Sequence, residues 1–270
     1  MVLAACLTGA NVWAYDLGQN ITVADGVTGG TFSGWSANSP EDQEVEPGNV
    51  KSQTWDLEAF FQNDMSLSMV GGYNFKDGVY AAGWNITSGD IFLDVTGDMI
   101  YGQNVTGLTG ANGIRDVKNV FGYDYVLDMN FAGNTYDIYQ IDSTADLKIG
   151  YYRQNDATNG WQYVSGGTLV GTGTFTYTAG QSNTAVGLTG GTHNVVSGID
   201  LSFLAKSIPV DFVTHFTMAC GNDNLIGKGQ LAALPPPPPP TGTPEPATML
   251  LLGSGLIGLA GLKKRFNKKN

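Results

Sequence analysis

Apolar positions in this chain come in short runs. Asp90-Ile91-Phe92-Leu93-Asp94-Val95, Tyr123-Asp124-Tyr125-Val126-Leu127-Asp128, residues 135–141, 173–178 and 210–218 each place apolar or aromatic side chains in alternation or in brief blocks, as strands do. Turn residues separate them: Val70-Gly71-Gly72, Asn85, Thr96-Gly97-Asp98, Ala132-Gly133-Asn134, Asn159-Gly160 and Ser165-Gly166-Gly167. No sustained 3.6-residue apolar period runs through residues 15–231, and only Asp56 to Asn63 reads as a helical turn. No repeat of fixed period divides this stretch. The pattern predicts an all-β body over residues 15–231, a single antiparallel β-sandwich of jelly-roll-like layout.

The pattern changes at both ends. Residues 1–14 form an apolar stretch closed by Val12-Trp13-Ala14, a small-x-small cleavage pattern, and are expected to be a signal peptide with Tyr15 starting the mature chain. Its basic n-region is missing, which makes it a truncated signal. Leu3-Ala4-Ala5-Cys6 offers a lipoprotein acylation signal as the alternative. Residues 232–243 read as a Pro-rich linker, whose hexaproline, Pro235 to Pro240, favours a stiff polyproline II rod. Pro244-Glu245-Pro246 continues an extended backbone. Ala247 to Leu262 is then 16 residues without a charge. As a helix it reaches about 24 Å at ~1.5 Å per residue, and with snorkelling lysines it is expected to be a transmembrane helix. The basic tail Lys263, Lys264, Arg265, Lys268 and Lys269 would stay in the cytoplasm and leave the body outside.

Composition sharpens this picture. Glycine is abundant, 38 of 270 residues, and 42% hydrophobic residues suffice for a core. Five of the 13 cations sit in the tail, so residues 1–244 carry 8 Lys and Arg against 23 Asp and Glu, a formal −15. Such a body repels nucleic acid and anionic lipid heads and draws divalent cations. With Cys6 in the removed segment, Cys220 is left as a lone thiol, which excludes an internal disulfide.

The ordered trio of Pro244-Glu245-Pro246, a short Gly-rich apolar segment and Lys263-Lys264-Arg265 resembles a PEP-CTERM sorting signal over residues 244–270. The resemblance implies that the chain is exported and anchored in the inner membrane of a Gram-negative bacterium. Exosortase, a membrane-embedded transpeptidase, would then process it for delivery to the cell surface or extracellular matrix. A second resemblance is scattered over residues 55–223. It rests on Trp55-Asp56-Leu57-Glu58-Ala59-Phe60-Phe61, Ser88-Gly89-Asp90, Gly122-Tyr123-Asp124-Tyr125-Val126, Tyr136-Asp137-Ile138-Tyr139 and Thr214-His215-Phe216-Thr217 with Cys220-Gly221-Asn222-Asp223. These segments look like secreted domains similar to family-nine carbohydrate-binding modules, which are jelly-roll sandwiches. Met65-Ser66-Leu67-Ser68-Met69-Val70 departs from that group, which carries an apolar strand at this place.

Candidate chemistry is sparse. His193, in an expected turn, and His215, on an expected strand, do not form a catalytic set with Cys220, and no Gly-x-Ser-x-Gly elbow marks a nucleophile. No zinc spacing and no phosphate loop is present. Asp90, Asp94 and Asp98 bracket one strand and its turn and are the candidate calcium ligands. Tyr151, Tyr152 and Trp161 lead the candidate carbohydrate-binding rings, with Trp35, Trp55 and Trp84 behind them. The sequence therefore points to an exported, non-catalytic surface or matrix protein that binds exopolysaccharide and needs no cofactor other than calcium. The alternative is a secreted glycoside hydrolase using two carboxylates.

Overall fold

A computed structural model describes residues 15–23, 50, 52–100, 113–151, 160–237 and 246–266. The expected signal peptide, Tyr152, Trp35, Pro244, Glu245, Lys268 and Lys269 lie outside these residues.

The body is built of antiparallel sheets. One has five strands in the order β1 (Gln19–Asn20), β2 (Leu57–Asn63), β3 (Ser66–Gly71), β14 (Thr192–Asp200) and β13 (Thr176–Ser182). A second has six: β12 (Thr168–Thr174), β9 (Thr135–Gln140), β8 (Tyr125–Asn130), β6 (Ile91–Asp94), β15 (Val210–Thr217) and β16 (Asn224–Leu231). A third has three: β11 (Gly160–Ser165), β10 (Asp146–Tyr151) and β7 (Gly113–Lys118). A separate hairpin joins β4 (Val79–Ala81) to β5 (Trp84–Ile86).

Side-chain alternation builds three apolar layers. Phe60, Leu67, Met69 and Val196 of the five-stranded sheet meet Ile91, Leu93, Leu127, Phe212 and Phe216 of the six-stranded sheet in the main core. Their neighbours Phe92, Val126 and Ile226 point the other way, onto Leu147 and Ile149 of β10. On the far side of the first sheet, Ala59, Phe61, Val70 and Val195 are covered by Leu17 and by Val186 of the short helix α1 (Asn183–Val186). Each fully buried Leu or Phe contributes about 1.5–3 kcal/mol.

Strands buried on both faces lose the period-two signal. Asp56 to Asn63, read from sequence as a helical turn, is for this reason strand β2, all buried from Leu57 to Phe61. Ser66 to Gly71, polar at alternate positions, is strand β3, and even Ser68 is buried. The expected strand over 173–178 is two strands in two sheets. Phe175 is the corner between β12 and β13, its N–H donating to the Asn134 carbonyl and its ring edge-on to Phe131.

The compact body runs to Leu234, whose N–H donates to the Lys206 carbonyl at 2.7 Å, so the first residues of the expected linker still hydrogen-bond to the body. The second unit, from Pro235, contains the helix α2 (Pro246–Phe266). Pro246 opens that helix instead of extending the linker, because the first helical position needs no amide proton. A helix therefore forms where a transmembrane one was expected, at about 247–262. Yet among the described residues no helix is long and apolar enough to cross a membrane. Its charge-free run ends at Lys263, and Gly253, Ser254, Gly255, Gly258 and Gly261 dilute its apolar surface.

Candidate functional site

Among the described residues the β4–β5 hairpin carries the exposed large aromatic side chains, Tyr80 and Trp84. Its turn is Ala82-Gly83, with φ of 51° and 89°. Two successive left-handed residues make the tight turn whose twist suits a hairpin, so the turn lies here and Asn85, expected in a turn, sits in β5. Ala81 pairs with Trp84 and Tyr80 with Asn85, which sends Trp84 and Tyr80 to opposite faces. Tyr80 is 75% and Trp84 38% exposed. On the Trp84 side a cleft of about 70 Å³ is lined by Val50, Trp55, Ala81, Ile86, Cys220 and Asn222. Trp55 ends the 3-10 turn Gln53–Trp55 and packs partly on the main core. The Asn222 amide holds Val50 in place, accepting from its N–H at 3.0 Å and donating to its carbonyl at 3.1 Å. The cleft has room for about two waters at ~30 Å³ each. A ligand ring would therefore lie across Trp84 and not inside the cleft. A wider groove of about 740 Å³ runs past Gln62, Asp64, Asp211, Lys228 and Gln230 and has no aromatic ring in its lining.

Groups with chemical potential are turned inward. Both histidines are completely buried. His193, expected in a turn, lies on β14, with Nδ1 2.6 Å from Glu58 Oε2 and Nε2 2.8 Å from Asn183 Oδ1. The Gly191 N–H donates to that same Asn183 oxygen and fixes it as an acceptor. Nε2 therefore donates to Asn183, and the short contact of Nδ1 with Glu58 is a buried clamp between β14 and β2. His215 lies on β15. Nε2 donates to Asn224 Oδ1 at 3.3 Å, so Nδ1 accepts from the Tyr123 hydroxyl at 3.2 Å, and the Tyr123 and Phe92 rings lie alongside. Burial drives its pKa down to about 4, which leaves it neutral.

Ser88-Gly89-Asp90 is a structural joint. Any side chain on Gly89 would run into the Trp161 carbonyl and ring. Asp90 accepts from the Met129 N–H of β8 at 2.8 Å and from the Tyr163 N–H of β11 at 2.7 Å, tying two sheets together. Burial raises its pKa to about 8. The Cys220-Gly221-Asn222-Asp223 segment acts in the same way. Asp223 accepts from the Leu57 N–H at 2.6 Å, and Thr217 Oγ1 donates to the Asp223 carbonyl at 2.6 Å. Cys220 is buried, and burial pushes its thiol up to about 11, far from a thiolate at neutral pH.

The structure scatters the expected sites. Trp161, a candidate sugar platform, is 5% exposed and belongs to the main core. Strand β11 carries it inward. Tyr151 ends β10, and Tyr152 follows outside the described residues. Of the candidate calcium ligands, Asp90 and Asp94 stand at opposite ends of β6, about 13 Å apart at ~3.3 Å per residue. Asp94 is buried and accepts from the N–H groups of Thr96, Gly97 and Met99. Asp98 accepts from Thr96 Oγ1 at 2.8 Å, as does Asp124, just before β8, at 3.1 Å. Among the described residues no group of three or more His, Cys, Asp or Glu is arranged to hold a metal ion. Glu58 was missed, although an acid inside Leu57-Glu58-Ala59-Phe60-Phe61 signals a buried partner.

In the tail, Lys263, Lys264 and Arg265 form the last turn of α2, where cations suit the negative end of the helix dipole. Residues 243–265 match the model of the PEP-CTERM protein-sorting motif. No curated protein and no solved structure matches the chain. This tail motif supports export of the chain, its membrane anchoring before processing, and exosortase as the processing partner.

Proposed function

We propose that the exported body is a non-catalytic surface or matrix module that binds exopolysaccharide on the β4–β5 hairpin. One observation carries this reading. Among the described residues the large rings presented to solvent are Tyr80 and Trp84, while His193, His215, Asp90, Glu58 and Cys220 are buried in the fabric of the sheets. An indole face takes the apolar face of a sugar ring by stacking, and its worth in other base- and ring-stacking systems is about 1–3 kcal/mol. Trp55 and Val50 back the indole, and Asn222 holds Val50 as the cleft wall. Processing by exosortase would place this surface on the cell exterior or in the matrix.

The test is retention of the full chain, in mild detergent, on the host's exopolysaccharide, with released sugar measured in parallel. Wild type should be retained without releasing sugar. Trp84→Ala should weaken retention about tenfold, which is ~1.4 kcal/mol. Sugar release by the wild type would favour the hydrolase. Undiminished retention of Trp84→Ala would remove the hairpin from the site.

A further inference from the structure

The acidic body has one long neutral tract. From Ala157 to Ile199, 43 residues, there is no Asp, Glu, Lys or Arg. The described part of that tract forms β11, β12, α1, β13 and most of β14. Strand β12 is one edge of the six-stranded sheet, opposite β16, and β13 one edge of the five-stranded sheet, opposite β1. Phe175 is the only residue between them, so both edges come from one neutral stretch of chain.

Edge strands are normally blunted by lysine, proline, inward charges or bulges, because an open edge recruits other strands. The two edges differ in this respect. β13 is interrupted between Thr178 and Gln181, with Gly180 at a φ of 72°. β12 has a single irregularity at Val170, and from Gly171 to Thr174 its pairing with β9 runs without a break. Among the described residues nothing pairs with its outer side. Its side chains are Thr, Leu, Val and Gly, without lysine or proline, and Leu169 and Val170 are 52% and 46% exposed. Val164, on the preceding strand, adds a further exposed apolar group.

We propose that β12 is a self-association edge, and that its occupant is β12 of a second copy of this chain. Charge selects the occupant. Residues 1–244 carry a formal −15, so two bodies repel over most approaches. The neutral tract is where they meet at least cost, and a strongly charged partner would find no countercharge on it. Geometry permits the pairing. An antiparallel strand pair formed from two identical edges has a two-fold axis, so each copy supplies the donors and acceptors that the other needs. The axis falls at Thr172 within the unbroken run, which places Thr172 of each copy opposite Thr172 of the other. Thr172 is exposed, opposite Asp137 of β9.

Sedimentation velocity of the full chain in mild detergent, over a range of concentrations, tests this. The wild type should self-associate, and more tightly as salt screens the acidic bodies, whereas an ion-paired contact would weaken. Thr172→Lys should weaken association about tenfold or more, since a lysine is the ordinary device for closing an edge. Leu169→Lys on the same strand should do likewise, so the outcome does not hang on one variant's folding. Ile208→Lys, at an exposed apolar position away from β12, should associate like the wild type. Any contribution from α2 is common to all four proteins and cancels. A monomeric wild type, a Thr172→Lys protein that associates as before, or an Ile208→Lys protein that weakens equally would overturn the proposal.

Discussion

Leucine is spent in opposite ways in the two units of this chain. In the body, Leu57, Leu67, Leu93 and Leu127 have no exposed surface. In α2, Leu250, Leu251 and Ile257 are 75–77% exposed, and Met249, Leu252, Leu256, Leu259 and Leu262 also face outward. At 100° per residue these positions surround the helix, so it has no polar side to turn to water. The body's side chains satisfy one another through pairings between residues far apart in sequence, such as Glu58 with His193 and Leu57 with Asp223. The helix is written for an environment that the chain does not supply, the lipid and the sorting enzyme. One unit is held together by contacts, and the other is read as a linear signal.

The largest effect comes from cutting between them. Truncation after Thr243 should abolish membrane anchoring and exosortase-dependent processing. The body's melting temperature should not change, because its cores lie within residues 15–234. Fractionation of cells and thermal melting measure the two halves of this expectation. A truncated chain that fractionates with the membrane like the full one would show that the body, and not the 16-residue apolar run, supplies the anchor. That run is about 6 Å short of a ~30 Å hydrocarbon core, which leaves Lys263, Lys264 and Arg265 to reach the interface by snorkelling.

Contrast in encoding explains what could be read in advance. The sorting signal was legible because its determinants are consecutive: Pro-Glu-Pro, an uncharged run, then cations. The all-β class was legible from turn residues and short apolar runs, and β6, β8, β9 and β15 fall where the alternation placed them. Strand β2 was not, because burial on both faces erases the alternation. Trp161 and the Asp trio failed for a different reason. Proximity along the chain stood in for proximity in space, yet Asp90 turns to β8 and β11 while Asp94 closes its own turn. The Trp55–Trp84 cleft joins residues 29 apart through a hairpin whose turn, Ala82-Gly83, is not a strong sequence signal.

A medium effect should come from pH, and it belongs to the body alone. Asp90 is raised by burial to about 8 from an ordinary 3.8, so the folded body keeps a proton that the unfolded chain has shed. That contribution is complete below pH ~4 and is lost as pH rises towards 8. His215 works in the other direction. It is lowered by burial to about 4 from 6.5, so stability is lost as pH falls through that window. The two slopes oppose each other between about 4 and 6.5. Above 6.5 His215 no longer opposes it, and Asp90 should cost about 1.4 kcal/mol per pH unit up to ~8. Denaturant melts of wild type and Asp90→Asn at pH 6.5 and 8 isolate it. The variant starts less stable, since an amide cannot accept both N–H bonds, but its pH slope should be flatter. Equal slopes would mean that Asp90 stays ionised in the folded body. Sorting should ignore the substitution.

The smallest effect lies in the turn that presents Trp84. Ala82 and Gly83 are adjacent and both left-handed, yet only one is glycine. A Cβ in that region costs roughly 1–2 kcal/mol, while removing one gives the unfolded chain about 0.4–1 kcal/mol of extra entropy to lose. Ala82→Gly therefore gains on the first account and loses on the second, for a net rise of a few tenths to about 1 kcal/mol. Gly83→Ala reverses both signs and should destabilise by a similar amount. No neighbour lies within 4 Å of the position its Cβ would take, so the cost is backbone strain and not collision. Denaturant midpoints measured on the pair separate the turn from its surroundings. Opposite shifts mean that the left-handed pair is kept in solution. Shifts of the same sign would mean that the hairpin takes another turn, and Trp84 would then lose its fixed place beside Trp55.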